Sequence, residues 1–314
     1  MLCRETPSQY LVGLNPAGVT MNKATHPFMH LLLLVLLSFL MMILSAVLTF
    51  VLTFVGVDMA SNGNILAFQS VTQLLTFLLP VLIVVRRYYR DEASAFLRLD
   101  LSGSRWLLGL AGIVILLLLT PLIDQSSVWN DNWHWGGVFE SFERALRSVG
   151  EQSETLVTNL LSVSGMGAFA ANLLVIALIP ALCEEIFFRA GIQNLLQRWF
   201  SGRFPVAGVH IAVWVTAAIF SLGHGEVFAF LPRFILGALL GYLYIGAGSI
   251  VVNVVVHFFN NAVIVVAYWF MASGHTLFDP SQPLAAGAEL IVCCSLAAVA
   301  LLCVTFGKGL KTSR

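Results

Sequence analysis

Eight stretches of this chain, most of them about twenty residues long and nearly free of charge, limit what it can fold into. An α-helix rises about 1.5 Å per residue, so roughly 20 apolar residues cross the hydrocarbon layer of a bilayer. The runs lie at about 30–55, 65–85, 106–123, 167–199, 206–222, 227–245, 250–271 and 284–306. Hydrophobic residues make up 59% of the chain and charged residues 10%, where a soluble domain carries about 25% charged. The mean hydropathy of +0.90 agrees. The expected fold is therefore all-α: a polytopic membrane protein with an eight-transmembrane-helix bundle. Formal net charge is zero, so no basic field argues for nucleic acid.

The boundaries follow the runs. Residues 1–29 form an N-terminal tail without the apolar core of a cleavable signal, and residues 30–123 hold three transmembrane helices. Residues 124–166 form a polar loop, 167–306 the rest of the bundle, and 307–314 a basic tail. In the loop, Phe139, Phe142, Leu146 and Val149 fall at helical spacing against Glu140, Glu143, Arg144 and Arg147. That pattern predicts an amphipathic helix on the membrane surface or capping the bundle, between spans three and four. Arg4, Lys23, Arg86, Arg87, Arg90, Arg98, Arg105, Arg198, Arg203, Lys308, Lys311 and Arg314 all fall on one side of eight spans, while Asp58, Asp124 and Asp279 fall opposite. Both termini are expected in the cytoplasm. Cys3, Cys183, Cys293, Cys294 and Cys303 have no ladder spacing; all but Cys3 lie in apolar sequence and are expected to be small core hydrophobes.

One stretch breaks the oil. Pro180 to Arg189 reads P-A-L-C-E-E-I-F-F-R. An ionisable group in hydrocarbon is usually paired, buried in the bundle or functional. Glu185 and Arg189 are i and i+4 and can pair. Glu184 faces elsewhere on the helix and is left free for chemistry. Two further signatures follow: Phe220-x-x-x-His224, and His257-x-x-x-Asn261, whose side chains share a helical face. A carboxylate, two imidazoles and an amide brought together would form a hydrolytic site. Glu184 would act as general base, His224 would hold or protonate water, and His257 and Asn261 would donate to an oxyanion. Asn253 and Asn260 are expected to make interhelical polar contacts. Gly237 and Gly241 form a G-x-x-x-G pair suited to close packing inside the bundle.

The three signatures in this order resemble the CPBP superfamily of intramembrane proteases, which includes the Ras-converting CAAX prenyl endopeptidases and the bacterial Abi proteins. The family pattern is E-E-x-x-x-R, then F-x-x-x-H, then H-x-x-x-N. All three are unbroken here, and the resemblance covers Ala168 to about Val266. It implies an eight-helix bundle and an endopeptidase. It also implies catalytic positions at Glu184, His224, His257 and Asn261, with Glu185 and Arg189 in support. The implied partners are the lipid bilayer and a membrane protein or peptide substrate. The compact chain points to a bacterial inner membrane, where a peptide precursor suits better than a prenylated protein.

The residues leave a choice over metal. Glu184, His224 and His257 are three zinc-type donors with room for water. A metal-free glutamate mechanism uses the same residues, and Asn261 beside His257 makes better sense there, as an oxyanion donor. Straight spans also raise a difficulty of depth. They put His224 near the outer end of span five, and His257 about 10 Å in from the inner end of span seven. A non-enzymatic immunity or scaffold protein is the competing function. A proton-coupled transporter is the third, weakened by the lack of any inverted repeat.

Overall fold

Two prolines mark the places where two of the spans change their winding. Helix α2 (Asn62–Tyr88) and helix α5 (Met166–Phe200) each cross in one continuous run. Each contains a wider π-helical stretch ending two residues before a proline: Leu74–Leu78 before Pro80, and Leu173–Leu178 before Pro180. Proline lacks an N–H and its ring crowds the carbonyl four residues back. The ladder accommodates this by slipping to i→i+5 bonds. A second π stretch in α5, Glu185–Gln193, begins at the glutamate pair itself.

The computed structural model describes residues 26–100, 105–204, 207–275, 282 and 287–312. Most of the expected N-terminal tail (with Cys3, Arg4 and Lys23), as well as Asp279 and Arg314, lies outside them, and so do the side chains of Lys308 and Lys311. Every regular element among the described residues is helical. Helix α1 (Pro27–Phe54) precedes α2; then come α3 (Arg105–Asp131), α4 (Glu140–Leu161), α5, α6 (Ala207–Leu222), α7 (Phe230–Ala247), α8 (Ile250–Ala272) and α9 (Ala288–Thr312). Seven of these segments are long and apolar enough to cross a membrane; α6, at 16 residues, is the shorter apolar helix of the set. The chain is an integral membrane protein. Leu36, Phe50, Phe54, Trp106, Leu117 and Val304 are among many large apolar side chains left exposed, as expected of helices whose outer faces meet lipid tails.

The expectations need adjusting at several boundaries. The third span continues as helix eight residues beyond Ile123, to Asp131, so the start of the expected polar loop is helical. Helix α9 runs on to Thr312, through most of the segment read as a tail. Among the described cysteines only Cys183 is buried; Cys293 and Cys303 are exposed, because they sit on outward faces of α9 and not in the core.

Two apolar clusters flank the middle of the bundle. One joins Phe187, Phe188 and Leu195 of α5 to Leu34 of α1, Val81 and Val84 of α2 and Phe220 of α6. The other joins Ile115 and Leu119 of α3, Leu240 and Leu243 of α7, Val256 of α8 and Phe306 of α9. The close approach between helices comes from glycine. A Cβ on Gly241 would lie 2.9 Å from the Val213 side chain of α6, and one on Gly237 would lie 3.1 Å from Ala217 Cα. The G-x-x-x-G pair thus packs α7 against α6 inside the bundle.

Helix α4 is held by its polar edge. Glu143 is buried; it accepts from the Trp135 backbone N–H at 2.8 Å and pairs with Arg147 at 3.0 Å. Arg147 also bonds Asp131 and stacks over Phe228, 3.8 Å from the ring centroid. Phe139, Phe142 and Val149 remain exposed along the apolar stripe. The Trp135 N–H, the Arg147 guanidinium and His134 together draw the Glu143 carboxyl down to about 2.

Candidate active site

The site grows out of α5, where the second π stretch turns both glutamates and Arg189 into the bundle. Glu185 and Arg189 are fully buried and Glu184 nearly so. The two carboxylates have different surroundings. Glu185 is held on all sides: Arg189 Nε lies 3.3 Å from Oε2, Asn253 donates to Oε2 at 3.1 Å, and His257 Nδ1 meets Oε1 at 2.9 Å. Among the described residues Glu184 has one hydrogen bond, from Gln73 Nε2 of α2 at 3.4 Å, and its Oε2 lies 3.9 Å from His257 Nε2. One imidazole therefore bridges the adjacent acids, with one nitrogen bonded to Glu185 and the other facing Glu184.

Arg189 is steadied as well as paired. Its Nη2 donates to the Gly237 carbonyl at 3.4 Å, and its guanidinium lies 4.8 Å from the Phe220 ring centroid. Such a face-on cation contact is favourable in a dry setting. Phe220 also meets both imidazoles edge-on, with ring centroids 5.0 Å from His224 and 6.0 Å from His257. The aromatic of the F-x-x-x-H signature is the wall against which the guanidinium and both rings rest.

His224 follows α6. Its Nδ1 donates to the Phe220 carbonyl at 2.8 Å, which leaves Nε2 as the free nitrogen. It lies within electrostatic reach of Glu184, His257 and Arg233. Asn261 is half-buried, one turn along α8 from His257; its side-chain oxygen accepts from Asn260 at 3.1 Å. Glu184, His224 and His257 are thus brought to one neighbourhood with Glu185 and Arg189. Among the described residues no hydrogen bond links Asn261 to them. Asn253 bonds the Leu240 carbonyl at 2.6 Å as well as Glu185, so it is the interhelical contact expected of it. Asn260 meets only its neighbour Asn261 in the hydrogen bonds of the described residues.

The difficulty of depth disappears because α6 is short and sits low. Its Gly208 packs against Phe200, the last residue of α5. Phe200 lies beyond Asn194, whose side chain bonds the Phe96 carbonyl, close to the level where Ile250 N bonds the Arg98 carbonyl and α8 begins. Helix α6 thus starts below α8, and its 16 residues carry it about 24 Å, to a level near His257.

For zinc the donors are individually apt. Each imidazole has its Nδ1 on an oxygen acceptor, as metal-bound histidines usually do. Yet among the described residues no three His, Cys, Asp or Glu side chains converge into a set able to hold a metal ion.

Gln73 and Asn253 are the contacts that the sequence did not flag for this site. A single glutamine or asparagine in an apolar span gives no spacing signal; only the packing of α2 and α8 on α5 reveals them. Residues 166–263 match the family model of type II CAAX prenyl endopeptidase Rce1-like proteins. No curated protein and no solved structure matches the chain significantly.

Proposed function

The chain belongs to the CPBP/Rce1-like superfamily through residues 166–263, and from that premise we propose that it is an intramembrane endopeptidase whose general base is Glu184. The observation that carries the reading is the unequal treatment of two adjacent acids. Glu185 is neutralised by Arg189 and bonded to His257 and Asn253, while Glu184 faces an imidazole nitrogen with a single amide donor at its side. A structural pair needs one glutamate; a general base needs the other.

The reaction runs without a metal in this reading. Glu184 takes a proton from water as the oxygen attacks the carbonyl carbon of the scissile bond. The carbonyl oxygen becomes an oxyanion. In this scheme His257 Nε2–H donates to that charge, with Asn261 as the second donor once substrate is bound. The C–N bond then breaks, and the proton held by Glu184 passes to the leaving amine. The products are a carboxylate and an amine.

The substrate class is a membrane-associated protein or peptide precursor. The topology that goes with this has eight crossings, with α6 as the short one, and both termini in the cytoplasm of a bacterial inner membrane. Helix α4 lies on the outer surface, where its exposed Phe139, Phe142 and Val149 enter the headgroup layer.

The test compares the membrane proteome of cells carrying the native protein with that of cells carrying Glu184→Gln. One precursor should accumulate in the variant while the protein is made and folded at native levels. Loss of the general base should slow cleavage roughly 10²- to 10⁴-fold. Full activity of Glu184→Gln in cells would leave the scaffold reading standing instead.

A further inference from the structure

We propose that Gln73, on α2 and outside the segment matched to the family, is a positioning residue of this site: its amide N–H holds the Glu184 carboxylate while its amide oxygen receives the attacking water. The proposal rests on the endopeptidase reading and extends it to a helix that the sequence signatures do not touch.

Three observations carry it. Gln73 Nε2 donates to Glu184 Oε1 at 3.4 Å, and this is the hydrogen bond Glu184 makes among the described residues. Among the described residues Gln73 Oε1 is buried and accepts no hydrogen bond, whereas buried polar atoms are normally paired. The hydroxyls of Thr72 and Thr76 on the same helix are also buried and unpartnered. Gln69 and Gln73 are i and i+4 on the α-helical part of α2, so they share one face of an otherwise apolar span.

The chemistry favours this orientation of the amide. An ionised carboxylate only accepts hydrogen bonds, so the NH₂ of Gln73 must face it; the reverse setting would oppose two acceptors. That leaves Oε1 as the end of the amide free to accept a hydrogen bond. A water giving one O–H to Glu184 and the other to Gln73 Oε1 has both protons directed, so its lone pair is aimed by difference. Orienting a nucleophile in this way acts on turnover more than on binding, and a misplacement of about 1 Å can lower the rate about 10²-fold.

The experiment uses full-length protein in lipid nanodiscs. Infrared spectroscopy first locates the Glu184 carboxyl band as the one missing from Glu184→Gln. In Gln73→Leu, which keeps size and suits the span, that band should move. With a quenched peptide spanning the cleavage site of the accumulating precursor, Gln73→Leu should lower kcat roughly 10- to 100-fold with KM within about twofold. Gln73→Asn, which keeps the amide one methylene shorter, should recover part of the loss. An unmoved band with unchanged kcat would overturn the proposal, as would a loss confined to KM. If Glu184→Gln accumulates no precursor, the endopeptidase reading fails instead, and the band still reports whether Gln73 holds Glu184.

Discussion

Glu185 meets His257 at 2.9 Å through one carboxylate oxygen and Arg189 at 3.3 Å through the other, so a single buried acid ties helix α5 to α8. The acid next to it is left comparatively free. This division of labour makes the fold and the proposed chemistry separable by mutation.

Arg189→Ala should damage the fold, because it removes the guanidinium that neutralises Glu185 deep in the bundle. Breaking a buried pair from one side typically destabilises by about 3–5 kcal/mol. Thermal unfolding in detergent should show a clear drop for Arg189→Ala and little change for Glu184→Gln. A native melting temperature for Arg189→Ala would contradict the structural role.

Two glycines should respond in opposite senses to alanine. At Gly241 a Cβ would come to 2.9 Å from the Val213 side chain and 3.0 Å from Gln193 Oε1. Gly241→Ala should push α7 from α6 and destabilise by about 1–3 kcal/mol. At Gly150, inside α4, no atom lies within 4 Å of the added methyl. There the same change should stabilise the helix by up to about 1 kcal/mol, through propensity alone. Comparative melting of the two variants checks both signs.

The docking of α4 should survive mild acid. The Trp135 N–H, Arg147 and His134 hold the Glu143 carboxyl at about 2, below its ordinary value of 4.5. A carboxylate with a lowered folded value contributes stability that is present in full above 4.5 and is lost as pH falls toward 2. Hydrogen-exchange protection across 140–161, taken relative to the intrinsic rate at each pH, should therefore hold from pH 7 to about 4.5, then fall as pH drops further toward about 2. Glu143→Gln should abolish that acid dependence.

If the proposed metal-free scheme holds, treatment with a strong zinc chelator should leave cleavage intact. The assay is turnover of the quenched peptide before and after chelation and dialysis. Loss of activity restored by added zinc would replace the metal-free scheme.

Much of this was legible in the residue order, for physical reasons. Apolar runs long enough to span a bilayer dictate helices, and charged residues inside them are rare enough that Glu184, Glu185 and Arg189 announce themselves. Glu185 and Arg189 do pair, as their i, i+4 spacing requires. What stayed hidden depends on packing between distant segments. Nothing in the spacing of His257 says that its Nδ1 bonds Glu185, 72 residues earlier. Gln73 looks like an isolated polar residue until α2 is laid against α5. The windings before Pro80 and Pro180 change which faces point inward, and a regular 3.6-residue period does not register them. Helix α6 falls below the usual crossing length, so a count of spans alone leaves it ambiguous.

That short helix has a consequence for the surrounding lipid. At 16 residues it covers about 24 Å, against roughly 30 Å of hydrocarbon, and it is anchored toward the side where α8 begins. If α6 is the short crossing of the proposed topology, acyl chains beside its far end would compress or splay to meet it, and the leaflet would be dimpled above His224. A dimple there draws the aqueous boundary inward, and the reagent that peptide hydrolysis consumes has less oil to cross.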